Sequence, residues 1–155
     1  MAKFSHITDG KAQMVDISGK GEVVREATAA GKIFLRPETL AAIREGTVVK
    51  GNVLATARVA ATLAVKNTAT IIPMCHPIPI SAISVDFTEG DGYIEAAVVV
   101  KMTGKTGVEM EALTGVSVAL LTVWDMVKSA EKDNDGQYPV TRITDVRVVE
   151  KKKGK

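Results

Sequence analysis

Residues 71–80, IIPMCHPIPI, place the chain's single cysteine beside one of its two histidines, between prolines. Cys75 is the strongest nucleophile in the chain, and His76 has the side chain whose ordinary pKa lies nearest to neutrality. Neighbouring residues in an extended segment point to opposite sides, which disfavours a Cys-His catalytic dyad. The other histidine, His6, lies in the N-terminal arm, so a zinc site is not expected. We predict that His76 faces a ligand and that Cys75 lines or backs the same pocket.

Asp125 and Lys128 are three residues apart in a helical pattern, so both side chains emerge on one helical face. One interpretation is an ordinary surface ion pair worth a few tenths of a kcal/mol. The apolar run VSVALLTVW just before them favours a second interpretation, a partly buried pair. A desolvated aspartate beside a lysine can exchange protons near neutral pH. The sequence leaves both interpretations open.

Two carboxylates, Glu109 and Glu111, flank Met110 at the expected start of the same helix. Negative charge near a helix N-terminus is favourable in itself, which accounts for one of the two. On an extended lead-in both side chains would point to the same side. There they could bind the amino and amide nitrogens of a polar ring.

Lys50 and Gly51 come directly before another predicted helix, where a lysine could contact a phosphate at the helix N-terminus. The chain contains neither GxxxxGK[ST] nor GxGxxG. The usual kinds of nucleoside-triphosphate hydrolysis and dinucleotide binding are therefore disfavoured.

Composition narrows the function classes further. The chain has 20 Lys and Arg against 18 Asp and Glu, a net charge of +2, and few aromatic residues, which disfavours a nucleic-acid-binding protein. Residues 150–155, EKKKGK, are interpreted as a flexible basic tail. A single cysteine excludes an internal disulfide, and no apolar run approaches the roughly 20 residues of a membrane span. We expect a cytoplasmic protein that neither enters membranes nor binds nucleic acid.

The elements that would position these side chains can be predicted from periodicity and turn residues. In chain order they are an extended arm over residues 1–20, a long strand or bent hairpin over 22–35, a short extra helix over 37–46, a helix over 52–66, a hairpin over 82–102, a long helix over 107–131 and a closing strand over 140–150. The main elements follow a βαββαβ order, which predicts a ferredoxin-like α+β fold with helices packed on one face of an antiparallel sheet. The length of 155 residues predicts a single catalytic domain, residues 1–155.

Seven segments, in order along the chain, resemble one family. They are MVDIS, REA, KGN, TAR, IIPMCHPIPI, KTGVEMEALT and WDMVKSA. Together they resemble the cyclic pyranopterin monophosphate synthase family, molybdenum cofactor biosynthesis protein C. The resemblance implies a lyase that converts 3′,8-cyclo-7,8-dihydroguanosine 5′-triphosphate, made by a partner radical-SAM GTP cyclase, into cyclic pyranopterin monophosphate and diphosphate. It also implies a ferredoxin-like fold and a homohexamer, a trimer of dimers, with active sites at subunit interfaces.

Site residues can be carried over from this resemblance position by position. It implies that Asp125 and Lys128 are catalytic. The substrate-binding positions that it implies are Lys50, Met74, Cys75, His76, Glu109, Met110 and Glu111. No metal ligands and no required cofactor are implied, although Mg²⁺ can accompany the triphosphate.

Different residues are expected to bind the two parts of the substrate. Lys50 and His76 are expected to hold the triphosphate, together with Arg25 or Lys66, which lie outside the set above. The glutamates are expected to hold the purine-derived ring.

The chain departs from the family pattern at three places. Asn52 replaces a usual aspartate, Val127 replaces a usual cysteine, and EKKKGK replaces a glycine-rich KSGGKSG ending. Because Asp125 and Lys128 are retained, we predict an active enzyme. The alternative is a non-catalytic pterin- or nucleotide-binding module, which would have no need for a matched proton donor and acceptor.

Overall fold

The computed structural model describes residues 7–8 and 10–154; His6 lies outside the described residues. A two-stranded ribbon comes first, and four long strands then form one antiparallel sheet. The strands are β1 Ile7–Thr8, β2 Lys11–Ala12, β3 Val23–Phe34, β4 Ile80–Glu89, β5 Tyr93–Gly104 and β6 Arg142–Lys153. The order in the main sheet is β4-β5-β3-β6.

Four helices complete the structure. They are α1 Pro37–Glu45, α2 Val53–Lys66, α3 Thr68–Ile71 and α4 Glu109–Glu131. Helices α2 and α4 pack against each other and against the sheet. The main order is β3-α2-β4-β5-α4-β6, which confirms the ferredoxin-like α+β prediction. Helix α1 is the predicted short extra helix, and the one-turn helix α3 was not predicted.

Local sequence explains where α1 and α2 begin and end. Helix α1 starts at Pro37 and stops at Gly46, whose φ of 73° is left-handed and suits glycine. Helix α2 is capped by Asn52, whose side-chain oxygen accepts from the Ala55 main-chain N–H at 3.0 Å. The predicted strand or hairpin over 22–35 is one long strand, β3, over Val23–Phe34.

The hydrophobic core lies between the sheet and the two long helices. Strand β5 alternates buried and partly exposed residues, with its buried side chains facing the helices. Gly31 in β3 allows α4 to come close, because a Cβ there would lie 2.9 Å from Val116 and 3.0 Å from Leu120. The core thereby fixes the axis of α4, which carries candidate site residues at both ends.

Helix α4 is long and apolar enough, by length and composition alone, to cross a membrane. This differs from the expectation that no apolar run approaches that length. Half of its most apolar 18-residue stretch is buried inside the protein, against the sheet and α2. A core helix passes the same test, so the length of α4 reflects its place in the core.

The prediction of a flexible basic tail is wrong for residues 150–153. They continue β6 and pair with β3, with Lys151 opposite Ala27 and Lys153 opposite Arg25. The Gly154 main-chain N–H then donates to the Val24 carbonyl at 2.7 Å. Strand pairing uses main-chain groups, and lysine is common on edge strands, so a run of lysines does not prevent pairing.

Candidate active site

A cavity of about 610 Å³ opens beside the N-terminus of α4. Four parts of the chain line it: the arm at Val15, Ile17 and Lys20, the segment before β4, the start of α4, and β6 at Val148. Six of the seven predicted substrate-binding residues meet here. They are Met74, Cys75, His76, Glu109, Met110 and Glu111. A volume of this size accommodates a nucleotide-sized ligand.

Cys75 and His76 both line the cavity. The Nε2 atom of His76 lies 2.6 Å from the Val15 carbonyl oxygen. A carbonyl only accepts, so Nε2 donates in this contact, which joins the wall to the arm. Burial raises the pKa of the Cys75 thiol, and the nearby Glu111 carboxylate raises it further. Cys75 is thus held in its less reactive thiol form.

Glu109 and Glu111 lie in the first turn of α4, not on an extended lead-in as expected. Glu111 is only 4% exposed, and burial raises its pKa. Glu109 lies 2.6 Å from the Lys151 ammonium. Partial burial opposes its ionisation, yet the Lys151 hydrogen bond and the charges of Lys151 and Arg25 leave the pKa of Glu109 below its usual value. The pKa values of the two carboxyl groups are therefore shifted in opposite directions.

The sequence interpretation missed Lys151, because a lysine in a flexible tail has no fixed position. In the structure a β-bulge in β6 leaves Val149 without a partner, since Val148 lies opposite Ala29 and Glu150 lies opposite Thr28. The extra residue places Lys151 on the same face as Val148, where it contacts Glu109; Val148 and Glu109 both line the cavity. The continuation of the β-rich run RVV into the lysines is a signal from which a longer strand could have been predicted.

The residues expected near the triphosphate occupy different places. The Arg25 Nε donates to the Gly104 carbonyl at 3.1 Å, and the Arg25 charge acts on Glu109. Lys66 lines a second cavity of about 260 Å³ that shares His76 and Glu111 with the first. Both cations therefore lie close to the cavity walls.

Asp125, Lys128 and Lys50 form a separate cluster. The Lys128 ammonium lies 3.2 Å and the Lys50 ammonium 3.3 Å from the Asp125 carboxylate. The side chain of Asp125 is 59% exposed, so of the two interpretations the partly buried pair does not hold for the single chain. Hydrogen bonds from Lys128 and then Lys50 lower the pKa of Asp125. These contacts favour the carboxylate form.

The cluster and the cavity lie at opposite ends of α4. Glu109 starts this helix and Asp125 follows 16 residues later, a distance of about 24 Å along the axis. Lys50 belongs to the Asp125 cluster and not to the cavity, so the expectation that Lys50 and His76 act together is not met within one chain.

Among residues 7–8 and 10–154, no group of three or more His, Cys, Asp or Glu side chains comes together as a metal site. The cavity contributes cations instead, with Lys20 in its lining and Lys151 paired to Glu109. Such cations are suited to a phosphate-bearing ligand.

Comparison with known proteins identifies the family. The model of the MoaC family matches residues 14–154, which is nearly the whole chain. The chain belongs to the MoaC family. It is 79% identical to a protein of Methanoregula boonei over 99% of both chains, and 68% identical to one of Methanosphaerula palustris over 99% of this chain and 100% of that one. A Pyrococcus abyssi protein is 58% identical over 97% and 95%. All three carry the name "Probable cyclic pyranopterin monophosphate synthase".

The departures from the MoaC pattern each have a defined place in the structure. Asn52 caps α2, a role that an aspartate also performs. Val127 is 2% exposed and belongs to the core, so it points away from the solvent-facing Asp125 and Lys128. Residues 150–153 of the atypical ending form the last residues of β6.

Proposed function

We propose that this chain is a cyclic pyranopterin monophosphate synthase, which converts 3′,8-cyclo-7,8-dihydroguanosine 5′-triphosphate into cyclic pyranopterin monophosphate and diphosphate. Membership of the MoaC family and the names of its relatives support this activity. The observation that carries the proposal is the cavity of about 610 Å³ in which six predicted substrate-binding residues meet.

The cavity suits both halves of such a substrate. The lowered pKa of Glu109 favours a carboxylate that accepts from ring nitrogens, and the raised pKa of Glu111 makes it the readier of the two to take up a proton. Lys20, Lys151 and His76 would face the phosphates, whose negative charge would compete with Glu109 for Lys151.

The distance of about 24 Å along α4 favours an active site shared between two copies of the chain. One copy would provide the cavity, and a second would bring Asp125, Lys128 and Lys50 to its mouth. Contact with a second copy would also desolvate Asp125, which is exposed in the single chain. The homohexamer built as a trimer of dimers, implied by the family resemblance, would supply such interfaces.

The reaction requires proton transfers and one phosphoryl transfer. Asp125 would accept a proton and Lys128 would donate one during the ring rearrangement. A ribose-derived hydroxyl then attacks the α-phosphorus: its oxygen forms the new P–O bond, its proton passes to a base, and the bond to the β-phosphate oxygen breaks to release diphosphate. Lys50 and the other cations would stabilise the developing charge.

The surroundings of this reaction belong to the same proposal. A radical-SAM GTP cyclase would supply the substrate in the cytoplasm. No resident cofactor is needed in this scheme. Magnesium that accompanies the triphosphate would be bound chiefly by phosphate oxygens, since the described residues bring no metal-ligand group together.

The decisive experiment supplies the purified protein with the cyclised GTP intermediate and follows both products. We expect stoichiometric diphosphate and cyclic pyranopterin monophosphate. Binding of the intermediate without release of either product would contradict the enzyme and support the alternative, a non-catalytic pterin- or nucleotide-binding module. The Lys128→Ala variant serves as the negative control, because it should bind the intermediate without turnover.

A further inference from the structure

A buried glutamate joins three segments at the C-terminal end of α4. Glu131 is the last residue of α4 and is 0% exposed. Its carboxyl group accepts from the Thr141 hydroxyl at 2.7 Å and from the Thr39 hydroxyl. The Arg36 main-chain N–H contacts both oxygens, at 3.2 and 3.1 Å. One side chain therefore connects α4, the start of α1 and the residue before β6.

These contacts supply a cap that α1 otherwise lacks. Arg36 is its N-cap residue, but the Arg36 side chain makes no capping hydrogen bond. The first N–H groups of a helix need acceptors, and negative charge is favourable there. Glu131 provides acceptor oxygens from a distant part of the chain, while the Arg36 Nε donates back to the Glu131 carbonyl at 3.3 Å.

Helix α1 leads directly to the cluster around Asp125. The chain leaves α1 at Gly46 and reaches Lys50 through a short loop. The Lys50 ammonium then contacts the main-chain carbonyl of Asp125 at 3.0 Å as well as its carboxylate. The placement of Lys50 thus depends on where α1 lies relative to α4.

Apolar packing between α1 and α4 is incomplete. A cavity of about 300 Å³ separates them, lined on one side by Thr39 and Lys50 and on the other by Met126 and Val127. A cavity leaves room for the helices to shift, because the atoms lining it lack partners on one side. The hydrogen bonds of Glu131 directly connect the end of α4 to the start of α1.

We propose that Glu131 is a positioning residue that sets the distance between Lys50 and Asp125 by anchoring the start of α1 to the end of α4. The catalytic consequence rests on the proposed function. The placement of Lys50 does not, because it is a property of the free protein.

The test is a pH titration of the Asp125 carboxyl carbon by NMR in the full-length protein. Four proteins are compared: wild type, Glu131→Gln, Lys50→Met and the double variant. Because the Lys50 contact lowers the pKa of Asp125, both single variants should raise it. The double variant should match Lys50→Met, since Glu131 acts through Lys50. An unchanged pKa in Glu131→Gln, or an additive rise in the double variant, would overturn the proposal.

Three further variants separate positioning from general destabilisation. Thr39→Val and Thr141→Val each remove one hydroxyl from Glu131, on the α1 side and on the β6 side respectively. Only Thr39→Val should raise the pKa of Asp125, and equal shifts would overturn the proposal. This pair decides the matter even when Glu131→Gln fails to fold. Glu38→Gln, an exposed change in α1, controls for net charge and should leave the Asp125 titration unchanged.

Activity provides the second measurement. Displacing a catalytic group by about 1 Å can cost up to about 100-fold in rate, so we expect Glu131→Gln to lower kcat/KM by about tenfold or more. A folded Glu131→Gln protein with wild-type kcat/KM would contradict the proposal. An inactive wild-type protein would instead contradict the proposed function, while the Asp125 titration would still decide whether Glu131 positions Lys50.

Discussion

The ammonium group of Lys151 lies 2.6 Å from the Glu109 carboxylate and so joins the last strand of the sheet to the first turn of α4. Glu109, one partner of this ion pair, lines the candidate active-site cavity. The ion pair combines a carboxylate suited to a ring nitrogen with a cation suited to a phosphate. Substrate binding would therefore have to rearrange it.

Replacing Lys151 by methionine should affect both partners. The pKa of Glu109 should rise, because burial remains while the hydrogen bond and positive charge are lost. KM for the cyclised triphosphate should rise about tenfold or more, since charge-assisted hydrogen bonds contribute about 1.5–3 kcal/mol. Steady-state kinetics and an NMR titration measure the two effects. Lys152→Met is the matched control, because Lys152 faces Glu26 and Glu150 instead; similar effects in both variants would argue against a role specific to Lys151.

Lys128→Ala should abolish turnover in a folded protein. We expect kcat to fall by about 10³-fold, within the range of general acid-base catalysis. Lys128 is exposed, so Tm should change by less than about 3 °C. Kinetics and thermal denaturation check the two expectations, with the exposed Lys132→Ala as control. Equal losses of folding and activity would support the structural ion pair instead.

A site shared between two copies predicts complementation. His76→Ala should weaken substrate binding and Lys128→Ala should prevent chemistry, so each alone is poorly active at low substrate concentration. In randomly mixed oligomers about one quarter of the sites would combine an intact cavity with an intact Asp125-Lys128 pair. Co-refolding the two variants in equal amounts should recover activity of that order. No recovery in oligomers shown to be mixed would place the whole site within one chain.

Cys75 should react slowly with alkylating agents. Only the thiolate reacts, and burial followed by the charge of Glu111 raises the pKa of Cys75. The pH midpoint of iodoacetamide labelling should therefore lie above that of a free thiol, and Glu111→Gln should lower it. Mass spectrometry reads the result directly because Cys75 is the only cysteine. A midpoint at or below that of a free thiol would indicate an activated nucleophile.

The close approach of α4 to the sheet predicts a stability effect at Gly31. A Cβ at this position would lie 2.9–3.0 Å from side-chain atoms of Val116, Leu120 and Val146. Gly31→Ala should therefore destabilise the protein by about 1–3 kcal/mol and lower Tm. Gly21→Ala is the control and should leave Tm nearly unchanged, because an added Cβ there would meet nothing within 4 Å. Equal Tm values for the two variants would show that the core accommodates the added methyl group without loss of stability.

Local patterns were sufficient for most of the fold. Pro37 and Gly46 mark the ends of α1, and the turn EGDG joins β4 to β5, because these signals depend on the backbone preferences of single residues. The segments around His76 and Glu111 were recognised as parts of one site, and they meet in one cavity.

Lys151 could not be placed in the same way. A bulge at Val149 reverses the side on which the following residues emerge, and strand pairing decides whether a bulge forms.

By itself, the sequence determined the order of the elements, the family resemblance and the identities of the reactive side chains, since all three depend on residue type and spacing. Tertiary structure decided which of these side chains meet. It separated Lys50 and Asp125 from His76 by the length of α4, left Asp125 exposed in the single chain, and buried Glu111 with a raised pKa. These outcomes depend on the helix axis, the strand register and solvent access, which are set only when distant segments pack together.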